Sequence, residues 1–200
     1  MTKNKRPYRL LFIAVSMIMV TGCKSSDSAA SAANDEANFN RLVTNLESKT
    51  YHIDIEAAQP FNTAATTEVL NTIMIPRTGN TANRINVQGD GHYIKSEEGH
   101  FKASLPYFGE QRQAGGHYGA KNIGLSFNDT PEDLELTIDE KKQKAIVTFT
   151  IDDDKDHIEN YDVRITAFPN GYADIYITST HRTNIRYMGK LKPINKATMH

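Results

Sequence analysis

A chain of 200 residues, 38% hydrophobic and 24% charged, is long enough for one packed core and too short for two ordinary domains with their connections. Its 8 Phe and 9 Tyr exclude a wholly disordered chain, because disordered segments are poor in aromatics. The formal net charge of −1, with no Lys/Arg cluster interleaved with aromatics, excludes the basic face that nucleic acid requires.

Residues 1–22 read as a signal peptide. Lys3, Lys5, Arg6 and Arg9 form a positive start, and Leu10 to Val20 is an apolar run broken only by Ser16, too short for a permanent membrane span. Val20-Thr21-Gly22-Cys23 then resembles the lipobox, where lipoprotein signal peptidase cuts after the cysteine thiol has been diacylated. Cys23 is the only cysteine, so it is the expected lipidation site, and the mature domain holds no internal disulfide. Two acyl chains anchor stably where one is marginal, so the first expected partner is a membrane, contacted through lipid on Cys23. Removing the four leader cations from 23 leaves 19 basic against 24 acidic side chains, a formal charge of −5.

Residues 23–34 read as a lipidated flexible tether, since Lys24 to Ala33 carries no large apolar side chain. Asn34 is a cap for a helix over roughly 35–48, whose Phe39, Leu42, Val43 and Leu46 recur at i, i+3, i+4 and i+7. That stripe is expected to pack on the domain's own sheet.

From Tyr51 the apolar period becomes two. Tyr51, Ile53, Ile55 and Ala57 alternate with polar residues. So do Ile85 and Val87; Phe101, Ala103 and Leu105; Ile123, Leu125 and Phe127; and Leu134, Leu136 and Ile138. Ala145 to Ile151, Tyr161 to Ala167, Ala173 to Ile177, and Ile185 with Tyr187 continue the pattern. Asn170-Gly171 predicts a type I′ hairpin, and Gly89-Asp90-Gly91, Glu97-Glu98-Gly99 and Asp139 to Lys144 predict further turns. The predicted fold is therefore mainly β. An antiparallel meander of about nine or ten strands, curled or barrel-like, makes one domain over 35–191 with one N-terminal amphipathic helix and a tail at 192–200. Residues 60–83 give no readable pattern.

Leu105-Pro106-Tyr107-Phe108-Gly109, Gly124-Leu125-Ser126-Phe127, Asn170-Gly171 and the run Ser179 to Gly189 together resemble the domain-of-unknown-function family 4251 of Bacteroidetes envelope lipoproteins, over roughly Tyr51 to Leu191. The chain departs from that pattern at Glu110, where the family often has arginine, and at Thr180, where it often has asparagine. The resemblance implies a fold and an envelope location and brings no activity with it.

No constellation in the sequence assembles an active site. The seven histidines lack paired spacing and cysteine partners, which argues against zinc; His92 and His100 are placed as a polar pair facing across a hairpin. Asp152, Asp154 and Asp156 have the spacing of a calcium loop's first ligands, but His157 and Val163 occupy the positions needing Gly and Glu. No serine lies in a G-x-S-x-G elbow. The expectation is a non-enzyme without cofactor or metal, with no catalytic residues.

Three functional readings remain: an envelope binding or structural module, a lipocalin-like carrier of a small apolar ligand, and a cell-wall or glycan hydrolase. The predicted contact site for an envelope protein or glycan is the long loop Pro106 to Asn122, through Tyr107, Phe108, Arg112 and Tyr118. The competing reading makes Pro106 to Gly109 a structural corner. Lys24 does not resemble the aspartate that retains many lipoproteins in an inner membrane, so an outer-membrane location is expected, on either face. Oligomeric state is left open.

Overall fold

The structure is a computed structural model, and it describes residues 26–109, 124–155 and 158–194. In chain order the elements are α1 (Ser26–Glu47), β1 (Tyr51–Pro60), α2 (Ala64–Thr78), β2 (Ile85–Asn86), β3 (Tyr93–Glu97), β4 (His100–Pro106) and β5 (Gly124–Asp129). They continue as β6 (Glu132–Asp139), β7 (Lys144–Asp152), β8 (Asn160–Ala167), β9 (Tyr172–Ser179) and β10 (Ile185–Pro193).

Two compact units divide within α1, at Ala37 and Asn38. Of the first, the described residues are the helical turns from Ser26, earlier than the Asn34 cap predicts. Alanine, the best helix former, supplies five of the twelve residues Ser26–Ala37. In the second unit Phe39, Leu42 and Leu46 are buried in the domain core and Val43 packs against it, as the apolar spacing requires.

The sheet runs β5-β4-β3-β1-β10-β9-β8-β7-β6, every neighbouring pair antiparallel, with β2 also on β1. It is two meanders joined through β1, which pairs with β3 on one side and with the last strand on the other. β5 and β6 stand at opposite edges, yet only Thr130 and Pro131 separate them in sequence. A flat sheet of nine strands would hold its edges about 38 Å apart. Three Cα steps span at most about 11 Å, so the sheet must curl until its edges approach. The predicted curled, mainly β architecture is what the chain forms.

The concave side is filled. Phe101 and Phe149 meet at 4.4 Å between ring centroids, Phe127 stands edge-on to Phe149 at 6.1 Å, and Tyr51 and Tyr161 extend the line at either end. All five rings are buried, with Ile53, Ile94, Leu125, Ile165, Ile175, Ile177 and Tyr187 around them. A carrier needs an empty interior, and this one is packed with rings and branched side chains, so the lipocalin-like reading is not favoured.

Several local expectations change. β3 was not foreseen, because its inward positions are Ile94 and a serine; Ser96 is buried and donates to Lys49 O at 2.8 Å. His92 and His100 do not face each other: His100 lies opposite Glu97, while Tyr93, beside His92, lies opposite Ser104 at the far end of the ladder. The two-residue turn with positive φ at both centres is Glu98-Gly99 (55° and 92°), the type I′ signature. At Asn170-Gly171 only the glycine has positive φ (78°), and Gly171 N donates to Phe168 O at 2.9 Å. Pro169 explains the difference, since its ring fixes a negative φ at the first central position.

The unread segment contains α2. Thr63 caps it by accepting from Thr66 N, and Gly79 ends it in the left-handed conformation with its N–H on Ile75 O. The β6 positions Leu134, Leu136 and Ile138 are only half-buried or exposed, because β6 is an edge strand.

Candidate functional site

Charged side chains are concentrated inside one end of the curl, where the β7–β8 connection, the β9–β10 connection, the start of β5 and the end of β4 meet. Asp153, Glu159 and Arg182 are each no more than 3% exposed, a burial that ionic groups tolerate only with partners.

Asp153 follows β7 directly. Its Oδ1 accepts from Lys155 N at 2.7 Å, an Asx-type turn, and its Oδ2 accepts from Tyr161 OH at 2.6 Å and Ser126 N at 3.4 Å. The next residue completes a bridge to the edge strand, Asp154 N donating to Ser126 O at 2.9 Å. Loop 153–155 therefore takes the pairing place beside β5 that a further strand would fill. Burial, and then the hydrogen bond to Asp153, push the Tyr161 phenol well above its ordinary range.

Glu159 anchors the other side. Its Oε1 accepts from Ser179 Oγ and from His181 N, the latter at 3.1 Å, while Oε2 faces Arg182 Nε at 3.8 Å and His181 Nδ1 at 3.6 Å. Arg182 reaches across to donate Nη1 to Gly124 O at 2.8 Å and lies 5.3 Å over the Tyr107 ring, within cation–π range. The Tyr107 hydroxyl donates to Thr183 O at 3.0 Å and lies 2.9 Å from Thr183 Oγ1; Tyr187 OH donates to Pro106 O at 2.7 Å. Four chain segments distant in sequence are thus tied at one end of the barrel.

The chemistry of this cluster is that of a latch. Three of the four carboxylate oxygens accept hydrogen bonds and the fourth, Glu159 Oε2, is held only by the nearby charge of Arg182; the Ser179 hydroxyl is directed at Glu159 rather than at an imidazole base, so the pairing that activates a nucleophile is not formed here. The ionic groups are also closed off from solvent, where a substrate does not reach. Asp152 and Asp154, weighed in sequence as cation ligands, diverge: Asp152 accepts from Asn160 Nδ2 at 2.8 Å and Asp154 is exposed. Asp156 lies outside the described residues. Among the described residues no group of three or more His, Cys, Asp or Glu converges on a metal position.

The predicted contact residues separate. Tyr107 is folded inward, whereas Phe108, the ring that the corner reading folds back into the core, is 41% exposed; Cys23, Arg112 and Tyr118 lie outside the described residues. Any side chain at Gly109 would collide with Thr183 and the Tyr107 ring, which gives the glycine of Leu105 to Gly109 a steric reason. Thr180, a departure from the resembled pattern, exchanges hydrogen bonds with the Asn160 backbone at 3.2–3.3 Å.

These segments, Leu105–Gly109, Gly124–Phe127 and Ser179–Gly189, are the ones in which the sequence resembles a family, and the latch is where they converge. A family model described as a domain of unknown function (DUF4251) matches residues 33–191. The chain belongs to that family. No curated protein matches it. The matched span opens inside α1 and ends in β10, so the DUF4251 domain includes the sheet, but for the last two residues of β10, and both halves of the latch. Sequence reasoning missed Asp153, Glu159 and Arg182; the signal for Arg182 was present in the Ser179–Gly189 motif.

Proposed function

We propose that this DUF4251 protein is a lipid-anchored protein of the bacterial cell envelope, its β domain serving as a binding or structural module at a membrane surface. The observation that carries the reading is the position of the only cysteine, Cys23, directly behind a basic start, an apolar run and two small residues. The filled interior and the closed latch support a module that works through its outer surface rather than through a cavity. Among the described residues no helix is long and apolar enough to cross a membrane; the lipid, with at least two acyl chains, supplies the attachment. Lys24 after the acylated cysteine favours the outer membrane, and the exposed Phe108, two residues beyond β4, is the foothold for an envelope protein or glycan.

Cys23→Ser tests the anchor. Metabolic labelling with a fatty-acid analogue should mark the parent chain and not the variant, and the variant should leave the membrane fraction or keep its leader. A Cys23→Ser chain that still takes up the label would overturn the reading.

A further inference from the structure

Helix α2 carries apolar residues on both sides, with Leu70 and Met74 half-buried on the inner one. Thr67, on the side turned to its own domain, donates to Asn83 Oδ1 at 3.1 Å, and Asn71 there accepts from Ala82 N at 2.7 Å. Opposite them, Ala65, Val69, Thr72, Ile73 and Pro76 recur at i, i+4, i+7, i+8 and i+11, all exposed, with Val69 at 63% and Ile73 at 50%. A helix on a water-facing surface normally keeps its outer face polar. The stripe holds no charge; Glu68 and Arg77 flank it.

We propose that this stripe lies in the interfacial region of the bilayer to which the chain is tethered, and thereby fixes which way the β domain faces. The proposal rests on the reading of Cys23 as the lipid site. Between Cys23 and Asn38, where the domain unit begins, lie three residue steps before α1 and twelve within it, so the tether reaches at most about 29 Å. A second, weak contact then acts at high effective concentration. The stripe's length also favours lipid over a second copy of the chain. Eleven steps of 1.5 Å and a helix width of about 10 Å give on the order of 170 Å², far below the ~800 Å² per partner of a stable protein interface. Lipid needs no matching surface, only an uncharged one, and Arg77 at its margin suits the headgroup layer.

The test uses the lipid-modified chain carrying Ile73→Cys, whose thiol is the only free one once Cys23 is acylated. An environment-sensitive dye on it is read in vesicles of phosphatidylethanolamine and phosphatidylglycerol with brominated acyl chains. Blue-shifted, quenched emission is expected. The same dye on Lys141→Cys, in the β6–β7 turn at the opposite end of the sheet from Pro60, should stay water-like and unquenched. Adding Val69→Asp should abolish the quenching at Ile73→Cys and leave the melting temperature unchanged. An unquenched dye on a chain that carries its fatty acid would overturn the proposal alone, as would protection from water that tracks protein density and not brominated lipid. A parent chain without fatty acid would overturn the anchor and the proposal together.

Discussion

Tyr107 and Phe108 are adjacent, and the chain turns between them so that one ring enters the latch while the other remains in water. Replacing Tyr107 removes the ring under Arg182 and the hydroxyl on Thr183 at once. Tyr107→Ala should therefore destabilise the domain by about 3–5 kcal/mol, the range for truncating a buried large aromatic. Phe108→Ala loses little buried surface and should fall within about 0.5 kcal/mol of the parent. Chemical denaturation of both variants checks the contrast, and equal losses would mean that the inward and outward assignments are wrong.

Among the elements, the β7–β8 connection shows how misleading spacing alone is. Asp152, Asp154 and Asp156 have calcium-loop spacing, but the residue between the first two is the one turned inward, and Asp152 serves Asn160. Calcium should leave the melting temperature where it is, because only a ligand that binds the native state stabilises it; a rise reversed by chelator would contradict this. The strands were legible because each has one wet face, so period two is written into Ala145–Ile151 or Tyr161–Ala167 without reference to the rest of the chain. α2 was not, since its apolar residues fall on both of its sides and so show no period, and Pro76 inside it reads as a breaker. The latch was illegible for another reason. Its charged groups come from separate turns, where no period exists, and a buried Asp or Arg looks in sequence like any solvated one.

At the scale of the whole molecule, four buried phenols make the fold sensitive to base. Burial raises Tyr51, Tyr161, Tyr187 and Tyr107, with Asp153 adding to the effect on Tyr161. The folded state then keeps protons that the unfolded chain gives up near pH ~10, so this contribution is complete below that pH and is lost as pH rises beyond it. Tyrosinate absorbance from these residues should appear in one step with the loss of sheet circular dichroism, and a gradual titration with the sheet intact would refute it. The pairing of β1 with β10 has a consequence in time. Tyr51 is matched to Pro193 and Pro60 to Ile185, contacts that close loops of well over a hundred residues and are therefore slow to form. During synthesis β1 waits for the last strand, and the two meanders can be joined only when the C-terminal residues have emerged.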